Sequence, residues 1–178
     1  TRFDCDWSSD VCSSDLRLYA GVPFWTVSES TRQQLLGHGV RDVRVWPNGT
    51  DTEPLPTLPA KPFGTPLRLI ALARLAPNKR VDHVVRALAL LREQGCDAEL
   101  TIIGWGQDQW RIEAQIDELD LSEAVTIAGR LDDAEKNIEL QKAHLLLHTS
   151  MREGWGLNVI EANAMGTPAV VYPVGGLV

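Results

Sequence analysis

Two glutamates near the end of the chain, Glu153 and Glu161, bracket Gly154-Trp155-Gly156, and the second lies in a short apolar run that reads as a helix. Glycines that lead into a helix leave backbone N–H groups at its positive end, where a phosphate is favourably held. Upstream, Ala73-Arg74-Leu75-Ala76-Pro77-Asn78-Lys79 follows an apolar strand-like run and sets two cations at a strand-to-helix turn. Arg74 offers a planar fork that can grip a phosphate with two parallel bonds, and Lys79 a compact charge for a neighbouring oxygen. Glu161, with two acceptor oxygens, can hold the vicinal hydroxyls of a ribose. Together these residues describe a pocket for a phosphorylated, hydroxyl-rich ligand such as a nucleotide sugar. The plainer alternatives are two solvated surface cations and an exposed helix glutamate.

Other chemistries fit less well. A glycosidase pair needs its carboxyls about 5–5.5 Å or about 6.5–9.5 Å apart, whereas eight helical steps from 153 to 161 rise ~12 Å. Cys5, Cys12 and Cys96 match no zinc spacing, so no metal is assigned. His38, His83, His144 and His148 show no ligand pattern and read as structural, with His83 exposed on the helix after Lys79. Gly104-Trp105-Gly106 by itself is mostly turn chemistry. The net charge of −7 argues against general nucleic-acid binding. No apolar run approaches the ~20 residues of a spanning helix, and no signal-peptide pattern opens the chain, so the expected setting is cytoplasmic.

The elements that must position these groups are legible as an alternation. Residues 22–27 read as a strand. A short helix to about Leu36 comes next, capped by Ser28 or Ser30, with Ser30 and Gln33 fitting a capping box. Residues 43–46 alternate like a strand. Further on, Leu67 to Ala73 is a nearly continuous apolar run, as in a strand covered on both faces. Val81, Val84, Val85, Leu88 and Leu91 form a helical stripe ended by Gly95. Strands at 99–103, 125–127, 145–147 and 169–171 alternate with helices marked by Ile112 and Ile116, by an Asp132 or Asp133 cap, and by Leu157 to Met165. The fold class is therefore α/β, a Rossmann-like parallel sheet with helices on both faces. Such sheets bind ligands at the carboxyl ends of their strands. Arg74, Gly104, Arg130, Ser150 and Glu153 all come just after expected strands, so one crevice can collect them.

Four stretches differ in character. Residues 1–16 are rich in Ser and Asp, nearly repeat a Ser-Ser-Asp unit, and are similar to translated sequencing adapter, with no fold of their own expected. Residues 17–52 read as the remnant of a preceding domain. Residues 53–66 hold Pro54, Pro56, Pro59, Pro62 and Pro66 and read as a linker. Residues 67–178 are the Rossmann-like domain, which ends just past a strand and is expected to be incomplete.

These motifs, in this order over about residues 22–178, resemble the family-four retaining glycosyltransferases of GT-B fold. Val27-Ser28-Glu29-Ser30 and Trp46 to Asp51 look like the end of that family's N-terminal domain. Gly166-Thr167-Pro168 and Gly175-Gly176 match the family's pattern downstream of its two-glutamate motif. The departures are small: Ala73 where Gly is common, Arg80 after the Lys, and Trp155 for Phe. The resemblance implies that Arg74 and Lys79 bind the donor diphosphate, Glu153 lies near the donor sugar, and Glu161 binds the ribose. It implies backbone N–H contacts from Gly156 and Leu157 beside Gly154 and Gly104, with Arg130 and Leu131 bordering the base. Arg74, Lys79 and Glu153 are then the catalytic residues. The implied activity is hexose transfer with retention, from a nucleotide-diphosphate sugar to a glycan, lipid or small-molecule acceptor, without cofactor. It admits peripheral contact with the inner face of the plasma membrane through the rest of the N-terminal domain, and it predicts weak activity for the fragment alone. A nucleotide-sugar epimerase, a phosphorylase or a non-catalytic nucleotide-sugar-binding fragment stays open beside it.

Overall fold

The computed structural model describes Leu16, Leu18, Tyr19 and residues 21–58, 60, 61 and 66–177. The chain divides into two compact units. One combines the stretch up to Gly49 with Glu153–Trp155 and the segment from Pro173; the other combines Thr50–Arg152 with Gly156–Tyr172.

In the first unit β1 (Phe24–Thr26) and β2 (Val43–Val45) pair in parallel, joined through α1 (Glu29–Gly37). Ser28 is the N-cap, its Oγ accepting the Thr31 N–H at 3.2 Å. The expected Ser30–Gln33 box is corrected: Ser30 lies inside the helix, and the Gln33 amide donates to Glu29 Oε1 at 2.6 Å. Val40 and Val43 are buried with Leu16 against Phe24, Leu35 and Leu36. Leu16, the last residue of the adapter-like segment, thus contributes to this core; residues 1–15 lie outside the described residues.

The second unit holds β3 (Leu67–Leu72), α2 (Val81–Glu93), β4 (Ala98–Ile103), α3 (Gln109–Glu118), β5 (Val125–Gly129), α4 (Asp133–Lys142), β6 (Leu145–His148), α5 (Leu157–Ala164) and β7 (Ala169–Val171). Its five strands are all parallel, in the order β5-β4-β3-β6-β7. The period of two splits β3 between two cores: Leu69 and Ala71 face α2 and α3, while Ile70 faces α4 and α5. The α2 stripe is buried as its spacing requires, through Val81, Val84, Val85, Leu88 and Ala89. Each such Val or Leu contributes about 1.5–3 kcal/mol when fully removed from water. Asp132 and Glu135 complete a reciprocal capping box at the start of α4.

The Pro-rich segment is anchored to this unit where it is described. Leu55 N–H donates to Ala164 O at 3.0 Å, and Leu55 packs on the α4/α5 core. The Lys61 ammonium donates to Ala143 O at 2.9 Å, Gly166 O at 3.0 Å, Leu140 O at 3.4 Å and Thr167 Oγ1. One cation thereby serves the carbonyl ends of α4 and α5, where the helix dipoles are negative. Burial, and then the nearby Arg68 charge, press this ammonium below its ordinary pKa.

Candidate functional site at the strand-order reversal

The chain runs outward from β3 to β4 and β5, then returns through α4 to place β6 on the other side of β3. The carboxyl ends of β3 and β6 therefore flank the switch point of the sheet, where open α/β folds hold their ligands. Hydrogen bonds gather chemistry there. The Met151 N–H donates to Asn78 O at 2.9 Å. Thr149 Oγ1 meets Lys79 O at 3.0 Å and Arg80 O at 2.8 Å. The Asn158 side-chain amide donates to Leu72 O at 2.7 Å, and lies 2.7 Å from His148 Nδ1. The loop after β6 is thus stitched to the 3-10 turn Pro77–Lys79, and the first turn of α5 is tied to the ends of β3 and β6.

Arg74 and Lys79 stand on the loop after β3. Arg74 is exposed, and its guanidinium makes no hydrogen bond or ion pair among the described residues. Lys79 is partly buried. Arg80 takes a left-handed φ of 51° between the 3-10 turn and α2. The loop is held against the next one by a continued ladder: Ala73 N–H to Ile103 O at 3.1 Å and Leu75 N–H to Trp105 O at 3.0 Å. A Cβ on Gly104 would lie 1.8 Å from Ala73 O, and one on Gly106 2.2 Å from Leu75 O. Both glycines are therefore required by backbone approach, and Gly104 supports the Arg74 loop whatever ligand it meets.

Helix α5 has Gly156 as its N-cap, buried and left-handed at φ 85°, a residue with no side chain to cap the first turn. Within that turn the Val159 N–H is met by Asn158 Oδ1 at 3.0 Å, and the positive end of the helix dipole lies at Gly156 and Leu157. Leu157 and Glu161 are four residues apart, so they lie on one helix face, about 6 Å along the axis. Glu161 is ion-paired with Lys136 Nζ on α4 at 3.2 Å. Lys136 also meets Asp133 at 2.9 Å. Burial alone would lower the Lys136 pKa, but its hydrogen bonds to Asp133 and Glu161 outweigh this and hold it above the ordinary value.

Arg130 and Leu131 come after β5 on the sheet edge, two strands from β3, or about 10 Å at the usual strand spacing. Arg130 is exposed, and Leu131 packs on the α4/α5 core. Glu153 and Gly154 belong to the first unit. There the Gly176 N–H donates to Glu153 O at 2.9 Å, and a Cβ on Gly175 would lie 1.9 Å from that same oxygen. The second unit therefore unites Arg74, Lys79, Gly104, Gly156, Leu157 and Glu161 around one end of its sheet, and a pairing invisible in the sequence adds Lys136.

Three of the four histidines, His83, His144 and His148, are built into the framework, while His38 is exposed. His144 is buried, and its Nδ1 accepts the Arg68 N–H at 2.9 Å. His83 is not the exposed residue expected: its side chain is 27% exposed, its Nδ1 is 2.7 Å from the Tyr172 hydroxyl, and its Nε2 meets Arg80. Two concavities flank the helices among the described residues, the second bordered by Pro77 and Arg80 of the turn after β3. One of about 520 Å³ lies along α4 beside β4 and β5, and one of about 470 Å³ between α2 and α3. Among the described residues no group of three or more His, Cys, Asp or Glu is placed to hold a metal ion. No helix among them is long and apolar enough to cross a membrane.

The family model of glycosyl transferases group 1 matches residues 59–178. The chain belongs to that family. Among curated relatives it is 31% identical over 175 residues to 2-deoxystreptamine glucosyltransferase of Streptomyces kanamyceticus, covering 91% of this chain and 45% of that protein. It is 34% identical over 145 residues to glycogen synthase of Mycobacterium tuberculosis, covering 81% of this chain and 35% of that protein. The chain thus spans less than half the length of both. The solved structure of Anabaena HepE in complex with UDP superposes with a TM-score of 0.76 at 22% identity, over 93% of this chain and 50% of that one. The parallel sheet with helices on both faces is that of GT-B glycosyltransferases.

Proposed function

We propose that the protein transfers a hexose from a nucleotide-diphosphate sugar to a glycan, lipid or small-molecule acceptor, with retention of anomeric configuration. The observation that carries this reading is the union of the Arg74–Lys79 loop and the glycine-led start of α5 at the switch point. Departure of the diphosphate separates charge. Two cations and a helix dipole fixed beside the leaving oxygens lower that barrier without water having to reorganise. Glu161, one turn along α5, takes the ribose hydroxyls. Glu153 approaches the donor sugar, and Gly154, Gly156 and Leu157 offer backbone N–H groups. Arg130 and Leu131 border the base.

In this scheme the acceptor attacks from the face the diphosphate leaves, so no enzyme nucleophile is used. Arg74 and Lys79 supply in this scheme the positive charge that a divalent metal could otherwise supply, so the proposal includes turnover without metal or cofactor. It also keeps a cytoplasmic setting, which fractionation of expressing cells tests. The relatives that are glucosyltransferases and the HepE complex with UDP support a nucleotide-sugar donor.

The test is a panel of UDP-, GDP- and ADP-sugars, each incubated with and without candidate acceptors, reading released nucleoside diphosphate and the anomeric configuration of the product. Acceptor-dependent release from one donor, a retained anomer and indifference to chelator are expected. Interconversion of the donor sugar without acceptor, or an inverted product, refutes the proposal.

A further inference from the structure

Glu161 and Lys136 are 25 positions apart on different helices, yet their side chains meet at 3.2 Å with only 20% and 14% of their surface exposed. A carboxylate so covered needs a partner to remain charged at little cost. The second partner of Lys136, Asp133, is 93% exposed, and an ion pair with so solvated a group contributes little. The contact with Glu161 is therefore the one that matters. It is also incomplete by design: it uses Oε1, while Oε2 has no hydrogen-bond partner among the described residues. An ammonium has three donors, and Lys136 spends two of them here.

We propose that Lys136 is the positioning residue of the ribose subsite, clamping one oxygen of Glu161 so that the other meets the ribose diol, and thereby setting the preference for ribonucleotides over deoxyribonucleotides. The proposal rests on the reading of Glu161 as the ribose-binding carboxylate. Without the clamp the carboxylate can rotate away or draw in water, and a free oxygen aimed at a diol is lost. A purely structural pair, tying α4 to α5, would affect every ligand alike, because a nucleotide lacking the hydroxyl still needs both helices in place. The two roles are therefore separated by the ligand rather than by stability.

The protein is titrated by calorimetry with UDP, GDP and ADP, and the tightest is repeated as its 2′-deoxy and 3′-deoxy forms. The variants are Lys136→Met, Lys136→Arg, Glu161→Gln and the Lys136→Met/Glu161→Gln double, each first checked for a native melting transition. Lys136→Met is expected to weaken the ribonucleotide about five- to tenfold, the net value of one typical hydrogen bond. The deoxy forms should change by less than about twofold. Lys136→Arg should restore most of the preference, and Lys136→Met should add nothing once Glu161 is Gln. Equal weakening of ribo and deoxy ligands, or an undiminished effect in the Glu161→Gln background, overturns the inference and leaves a structural pair. A wild type that binds none of the nucleotides, or a ribo/deoxy ratio that Glu161→Gln leaves unchanged, overturns the ribose role of Glu161 itself. Loss at Glu161 with none at Lys136 refutes only the present step.

Discussion

Replacing Gly104 by Ala isolates the close approach that holds the Arg74 loop. At φ +140°, its new Cβ would stand 1.8 Å from Ala73 O and 2.9 Å from Ala73 C, both backbone atoms with no rotamer to relieve them. Real Cβ contacts do not fall below 3.0 Å, so the two segments must part by at least 1.2 Å (3.0 less 1.8). That displacement breaks the Ala73–Ile103 and Leu75–Trp105 hydrogen bonds, now 3.1 and 3.0 Å. Two bonds at about 1 kcal/mol each, plus about 1–2 kcal/mol for a left-handed non-glycine, give a destabilisation of about 3–4 kcal/mol. Gly95→Ala is the matched control: its φ is +82° and nothing lies within 4 Å of its Cβ. It should cost only the conformational part, about 1–2 kcal/mol. Urea unfolding of both variants, extrapolated to water, reads the difference. Nucleoside-diphosphate affinity, measured where both are folded, should fall in Gly104→Ala alone, since Arg74 lies between the two displaced residues. If Gly104→Ala proves no more costly than Gly95→Ala, the approach does not support this loop and the reasoning fails.

Arg74→Ala or Lys79→Ala should each lower turnover by about 10²–10³ with little change in melting temperature, as for loss of one preorganised group facing developing charge; steady-state rates near wild type would remove them from the mechanism. Lys61→Met should cost about 1.5–3 kcal/mol in urea unfolding, because four acceptors at the ends of α4 and α5 lose one cation; an unchanged midpoint would show that the helix ends need no such partner. Lys136 has a raised pKa in the folded protein, so its contribution is complete below the unfolded value of about 10.4 and is lost as pH climbs through the folded one. The stability gap between wild type and Lys136→Met should therefore be flat through neutral pH and narrow only above about pH 10; a gap already closed near about pH 8 would contradict the pairing.

Most of the sheet was readable because each element is locally consistent. The α2 stripe, the doubly covered β3 run and the Asp132 cap all state their period or their terminus within a dozen residues. The failures share one physical source, which is competition from a partner that spacing alone does not reveal. Ser30 and Gln33 have capping-box spacing, but Ser28 stands closer to the first free N–H, and Glu29 takes the Gln33 amide. His83 lies off the buried stripe of α2 and reads as exposed, until Tyr172 reaches it from the end of β7. Lys61 meets acceptors 79 to 106 residues away, and nothing in a Pro-rich stretch announces a buried ammonium. The candidate site divides the same way. The charges and the glycines are visible as residue types, but the pairing of Glu161 with Lys136 and the demand of Ala73 O on Gly104 exist only once the strands are in register.

The partition of the chain restricts how this molecule can be dissected. The backbone passes between its two units four times, after residues 49, 152, 155 and 172. Cutting once after Gly49 strands Glu153–Trp155 and the segment from Pro173, which pack as part of the unit on the other side of the cut. Expression of either half alone would leave a gap in one piece and loose ends on the other. Any attempt to exchange the N-terminal stretch must carry those two short returns along with it, or redesign the glycine contacts between them.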